Sequence, residues 1–158
     1  MGAGTVIATA IAITLLIITG YVLIGGTLST ARVVALAQQA AAEREADKIQ
    51  TRVEILNASA NITDSRAYVE VKNTGSVVLG DFGHMEVFLL QAGTPRTYTN
   101  LSGKWTYAIS PDAVHPRILD PDEVANITVS YDPALGDPAW VKVTTANGVY
   151  ASKYMAAV

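Results

Sequence analysis

The beginning of this chain constrains it most. No charged side chain occurs before Arg32. From Thr5 to Gly26 the sequence reads TVIATAIAITLLIITGYVLIGG, and about 20 such residues cross the hydrocarbon core of a bilayer as a helix. The remainder of the 158 residues has the composition of an ordinary globular domain. The chain therefore divides into an apolar arm and a soluble body.

Three readings compete for the arm. A cleavable signal peptide needs a basic n-region and a shorter apolar run. Here the chain opens Met-Gly-Ala-Gly, and Ala35-Leu36-Ala37 lies beyond a run too long for an h-region. The second reading is a plain membrane anchor, and the third a helix that packs with copies of itself. Gly4, Ala8 and Ala12, spaced four apart, form a row of small residues of the kind that lets helices approach closely in an apolar medium. Packing between copies is expected at Gly4, Val6, Ile7, Ala8, Ile11, Ala12, Leu15, Leu16, Ile18, Val22 and Leu23. Thr5, Thr9, Thr14 and Thr19 bring hydroxyls that can bond back to carbonyls of their own helix.

No proline occurs before Pro95, and residues 31–56 are rich in strong helix formers. Ala42, Ala46, Ile49, Val53 and Leu56 fall at 4-3-4-3 spacing, one stripe of an amphipathic helix. This spacing predicts a helix over 1–56 whose stripe packs on the body. One continuous helix from about residue 4 to about residue 53 would be roughly 75 Å long, more than twice a bilayer core. Gly25-Gly26 is the hinge candidate, because paired glycines weaken a helix by about 1 kcal/mol each.

From Asn57 the period changes to two. Alternating segments at 67–72, 85–90, 104–109, 124–131, 140–145 and 149–154, with a short run at 77–79, are separated by turn clusters such as Asn73-Thr74-Gly75-Ser76 and Asn147-Gly148. About seven short strands with turn signals every 8–12 residues are the pattern of a sandwich. The expected fold is α+β: a long hydrophobic N-terminal helix, then an all-β, immunoglobulin-like antiparallel sandwich over 57–158.

Composition excludes much chemistry. There is no cysteine, so thiol catalysis, disulfides and cysteine-ligated zinc are out. The net charge of −3 and the lack of a Lys/Arg cluster do not suit nucleic acid. Asp120-Pro-Asp122-Glu123 and Asp132 to Asp137 offer carboxylates but no EF-hand spacing, so calcium is not expected. His84 and His115 stand without a nucleophile motif, and neither an enzyme nor a cofactor is expected. Four of the six asparagines begin N-x-S/T: Asn57, Asn61, Asn100 and Asn126. Chance supplies about one such match, and N-linked glycans on an extracellular surface are the functional reading.

Together these features resemble a family. The charge-free opening Gly-x-Gly-Thr-Val-Ile-Ala-Thr-Ala, the long helix and the sandwich are similar to archaeal type IV pilin-like proteins. Val69-Glu-Val-Lys-Asn-Thr-Gly-Ser76, Asp81-Phe-Gly-His-Met-Glu-Val-Phe-Leu89, Ile118-Leu-Asp-Pro-Asp-Glu123 and Thr144-Thr-Ala-Asn-Gly-Val149 resemble archaellins and archaellar F/G-type accessory proteins. The resemblance implies a precursor held in the cytoplasmic membrane. An ATPase-driven assembly machinery then extracts it into a homopolymeric surface filament, an archaellum or pilus for motility or adhesion, with helices inside and sandwiches outside. Residue 5 is Thr where bacterial pilins usually carry glutamate. No basic leader precedes residue 1, so the expectation is either a processed or a leaderless chain. The latter would suit an anchored accessory protein that binds the cell wall around a filament base.

Overall fold

The computed structural model describes residues 2–112 and 114–157. They fall into two compact units, Met1–Glu43 and Arg44–Val158. Helix α1, Ala3–Gln50, belongs mostly to the first and supplies the opening of the second. Its backbone is helical through Gly25 and Gly26, so no turn is melted at the expected hinge. Neighbouring hydroxyls bond along the helix there: Thr27 Oγ1 lies 3.0 Å from both Leu23 O and Ile24 O, and Thr30 Oγ1 donates to Gly26 O at 3.0 Å.

The helix ends sooner than its apolar spacing implies. Strand β1 covers Val53–Asn61, so Val53 and Leu56 belong to a strand and the body begins before residue 57. Val53 and Ile55 are buried while Arg52 and Glu54 are exposed. That period of two outcompetes the 3.6-residue reading because it places both apolar side chains in the sandwich core. The expected stripe does not pack as expected. Ala42 and Ala46 are exposed, Ile49 is 76% exposed, and Leu56 is 41% exposed. Of the five residues only Val53 is in the core.

The other strands are β2 (Arg66–Asn73), β3 (Glu86–Gln91), β4 (Thr94–Thr99), β5 (Trp105–Ser110), β6 (Val124–Ser130), β7 (Pro138–Thr144), β8 (Tyr150–Tyr154) and β9 (Ala156–Ala157). They form two sheets, β5-β6-β2-β1-β9 and β4-β3-β7-β8. Pairing is antiparallel except that β9 runs parallel to β1 for two residues. Val77–Leu79 is no strand; only Leu79 pairs, in a bridge with Leu119.

Alternation along the strands builds the core. Val69 and Val71 of β2, Val87 and Leu89 of β3, Trp105 of β5, Ile127 and Val129 of β6, and Val141 and Val143 of β7 are almost wholly buried. Some polar groups taken inside are bonded within the core, whereas Trp105 Nε1 and Thr144 Oγ1 are buried with no hydrogen-bond partner among the described residues. Gln91 Nε2 donates to Asp132 O at 3.0 Å and Gly136 O at 2.7 Å, while Tyr98 Oη donates to Gln91 Oε1 at 2.8 Å. Burial also pushes the Tyr98 hydroxyl above its ordinary pKa.

Strand β1 carries a bulge, with its register shifting between Ile55 and Asn57. A bulge disrupts the ladder locally. Lys153 of β8 answers part of that disruption by donating from Nζ to Leu56 O at 2.6 Å and Ile55 O at 3.4 Å. A cation lying along the strand edge also discourages pairing with another chain.

Two hairpin turns need left-handed backbone. Ala92-Gly93 joins β3 to β4 with φ of 46° and 77°, the two-residue geometry favoured between twisted strands. The β7–β8 connection is longer than a two-residue Asn-Gly turn. Thr145 N donates to Val149 O, and Gly148, at φ 84°, donates to Thr145 O.

Truncating Leu89, which is fully buried, should cost about 2–5 kcal/mol. Tyr154→Ala, at a position 80% exposed, should cost under about 1 kcal/mol. Denaturant unfolding of the full chain in detergent, followed by tryptophan fluorescence, checks both values.

Candidate functional site

Two features of this chain have no role in an isolated globular domain. The first is the surface of α1. Val6, Ile7, Ile11, Leu15, Leu16, Ile18, Val22 and Leu23 all stand exposed. They point to every side of the helix rather than along one stripe, the pattern of a helix meant to be enclosed all round. None of its most apolar stretch is buried, and the helix is long and apolar enough to cross a membrane.

The polar groups of this segment are already satisfied within it. Thr9, Thr14 and Thr19 donate from Oγ1 to the carbonyls of Thr5, Ala10 and Leu15 at 2.8–2.9 Å. Thr5 does the same to Gly2 at 3.1 Å. Each hydroxyl is thus spent internally, and the surface offered outward is apolar. Gly4, Ala8 and Ala12 lie on it, exposed, and a side chain built at Gly4 would meet nothing within 4 Å.

The second feature is the joint where α1 gives way to β1. The last helical carbonyls have no partner inside a helix, and here the β2–β3 turn supplies them. Ser76 N donates to Gln50 O at 3.1 Å; Thr74 N and Gly75 N donate to Arg52 O at 2.9 and 3.0 Å. The approach is so close that a Cβ on Gly75 would sit 2.5 Å from Arg52 N and from Gln50 O. Only glycine fits.

Buried Asn73 holds that turn. Its Oδ1 accepts from Gly75 N at 3.0 Å, and its Nδ2 donates to Val77 O at 2.9 Å and Leu119 O at 3.0 Å. Its backbone is tied to the 118–123 segment as well, through Asn73 N to Glu123 O at 3.1 Å and Asp122 N to Asn73 O at 2.8 Å. From the other sheet, Asn147 Nδ2 donates to Thr51 Oγ1 at 2.6 Å, and Thr51 Oγ1 donates to Asp47 O at 2.7 Å. Thr145 Oγ1 in turn lies 2.6 Å from Asn147 Oδ1.

Three of the four segments singled out in the sequence thus meet at one place: 69–76, 118–123 and 144–149. The fourth, 81–89, lies nearby through the Leu79–Leu119 bridge. Phe82 stacks on Tyr107 with ring centroids 3.9 Å apart. Asp81 caps His84 N at 3.3 Å, and the hydrogen bond from the His84 side chain holds the Asp81 carboxyl below its ordinary pKa. Sequence reasoning found Asn73-Thr74-Gly75 and Asn147-Gly148 only as turns. It missed Thr51 and the role of both asparagines, since nothing local signals a bond between Thr51 and a residue 96 positions away.

In the acidic loops Asp120, Glu123 and Asp132 accept from backbone amides, and Asp122 pairs with Lys72 at 2.8 Å. Asp132 Oδ1 accepts from Ala134 N at 2.9 Å. Asp120 Oδ2 accepts from His115 N at 3.0 Å, with His115 Nδ1 2.9 Å from Asp120 Oδ1. Of the sequon asparagines, Asn57 and Asn126 are exposed on strands, and Asn61 and Asn100 are half-buried at element ends. Asn61 Oδ1 also accepts from Thr63 N and Asp64 N at 3.0 and 3.2 Å.

Residues 2–154 match the family described as archaeal-type flagellin. An uncharacterized protein of Archaeoglobus fulgidus is 25% identical over 128 residues, which is 80% of each chain. Among solved structures, the archaellum periplasmic stator protein FlaG from Sulfolobus acidocaldarius is similar at 19% identity and TM-score 0.49, covering 65% of this chain and 97% of that one. FlaF and FlaG from the same organism, solved as a complex, give a match at 19% identity and TM-score 0.47, over 65% and 87%.

Asn73→Ala would leave one buried and one part-buried carbonyl without their side-chain donor, and it should destabilise the sandwich by about 2–4 kcal/mol. Asn147→Ala should cost about 1 kcal/mol. Urea unfolding of the full chain in detergent measures both, and an Asn73→Ala loss below about 0.5 kcal/mol would contradict this account of the joint.

Proposed function

We propose that this chain, which belongs to the archaeal-type flagellin family, is the structural subunit of an archaeal extracellular filament, an archaellum or a type IV pilus, that polymerises through α1. The observation that carries the reading is the pairing of a closed sandwich with a helix whose large apolar side chains are all exposed. A surface of that kind is far beyond what a soluble monomer tolerates. Each Leu, Ile or Val side chain buried among copies is worth about 1.5–3 kcal/mol relative to its exposure in water. No charged group before Arg32 has to lose its water in such a core. Contacts between unlike patches of identical subunits propagate as a helix when they do not close into a ring.

Before assembly the same helix is held by the cytoplasmic membrane, and an assembly machinery transfers it to the filament. The joint serves this function mechanically. Force applied at the helical core reaches the outer domain through Gln50, Thr51 and Arg52, each tied to the sandwich by hydrogen bonds. The chain acts by assembly and not by catalysis, and it serves motility or adhesion.

Electron microscopy of filaments sheared from cells, with mass spectrometry of the same fraction, tests this directly. Abundant filaments made mainly of this chain are the expected result. Retention in the membrane pellet with absence from filaments would instead support an anchored accessory protein that binds the cell wall. Leu16→Arg, at an exposed position of α1, should abolish filaments while leaving the sandwich folded by circular dichroism, because an unpaired charge has no place in an apolar core.

A further inference from the structure

The two sheets end on four edge strands, and an edge left open invites pairing with another chain. The edges are β5 and β9 in one sheet, β4 and β8 in the other. Three of them are guarded. Strand β9 is two residues long. Strand β4 contains Pro95 and Arg96. Strand β8 carries Lys153, whose Nζ lies on the carbonyls of Leu56 and Ile55. Strand β5, Trp-Thr-Tyr-Ala-Ile-Ser, has neither a proline nor a charge.

Register identifies the free backbone groups of β5. Ser130 N donates to Lys104 O at 2.9 Å, and the next residues, Trp105 and Val129, lie opposite each other. Bonded pairs alternate along an antiparallel ladder, so Thr106, Ala108 and Ser110 turn their N–H and C=O groups to β6. Trp105, Tyr107 and Ile109 turn theirs away from it. Trp105 is only 1% exposed, which leaves Tyr107 and Ile109, both half-buried. Among the described residues nothing takes up their outward backbone groups. This stretch of edge borders a surface depression of about 550 Å³, lined also by Asn100, Asp112 and Arg117.

We propose that the open edge of β5 docks β5 of a second copy, antiparallel and about a twofold axis through Ala108, so that two five-stranded sheets become one of ten strands. Three observations select this partner and register. First, the axis sets Tyr107 of each copy opposite Ile109 of the other, and the four N–H···O=C bonds between them use the groups left free. A register centred on Tyr107 would instead need Trp105, which is buried. Second, the same register sets exposed Lys104 of each copy against exposed Asp112 of the other, opposite charges at both ends of the contact. Third, the residue on the axis is exposed Ala108, whose small side chain lets the strands meet. The contact makes no use of α1 and goes beyond assembly through the helix. Being self-complementary, it closes in pairs and does not propagate.

Because the chain has no cysteine, single thiols can read the register. The full chain carrying Leu16→Arg, dispersed in detergent, keeps association through α1 out of the measurement. In that background Ala108→Cys should form a disulfide-linked dimer on mild oxidation, since opposed residues of a non-bonded antiparallel pair lie about 4.5 Å apart, within disulfide reach. Thr106→Cys should remain monomeric by itself and form a dimer when mixed with Ser110→Cys. Lys104→Glu, added to the Ala108→Cys chain, should lower the dimer yield roughly threefold at low salt. Tyr154→Cys, at a position 80% exposed on the other sheet, measures random collision. A dimer yield from Ala108→Cys no higher than from Tyr154→Cys would overturn the docking edge. Thr106→Cys linking to itself as readily as Ala108→Cys would overturn the register, and an unchanged yield with Lys104→Glu would overturn the charge match. Each outcome leaves the filament reading to the sheared-filament experiment.

Discussion

Everything in this chain turns on the change of hydrogen-bonding pattern between Gln50 and Val53. Upstream, carbonyls are satisfied along one helix; downstream, they are satisfied across strands. The residues between would leave polar backbone without partners, a cost of about 1–3 kcal/mol for each buried group. Amides of Thr74, Gly75 and Ser76 take up the carbonyls of Gln50 and Arg52, and Asn73 holds those amides in place. Asn147 reaches Thr51 from the second sheet. Both sheets thus grip the exit of the helix.

The grip connects two kinds of stability. The sandwich closes on its own core of valine, leucine, isoleucine and tryptophan. Residues 3–31 of α1 bury nothing within the chain, and their hydroxyls are turned inward on their own backbone. Such a helix finds its stability in what surrounds it, whether lipid or copies of itself. One chain therefore carries a domain with its own core and a segment without one. The last turn of that helix lies in the same compact unit as the sandwich.

Much of this was legible in the sequence. The arm was, because a charge-free apolar run has few physical solutions. The strands with strict alternation were, including Arg66–Asn73 and Val124–Ser130. The errors came where two periods fit the same residues. Ala46, Ile49, Val53 and Leu56 satisfy a helical stripe, yet Val53 and Ile55 satisfy a strand, and burial in the sandwich decides between them. Strand β4, Thr-Pro-Arg-Thr-Tyr-Thr, offers no alternation because only Tyr98 is buried in it. The joint was illegible for a different reason. Asn73 and Asn147 look like turn residues, and their long-range bonds to Leu119 and Thr51 exist only once the sheets have paired.

The central claim is that the apolar surface of α1 is covered by other copies of the same chain. The absence of cysteine makes a clean probe possible. Leu16→Cys places a thiol at a position 76% exposed in the single chain. Its reactivity toward a maleimide should be compared between purified filaments and detergent-dispersed monomers. The account predicts rapid labelling of the monomer, protection in the filament, and disulfide-linked multimers on mild oxidation of the filament. Equal labelling in both states, with no cross-linked species, would contradict it.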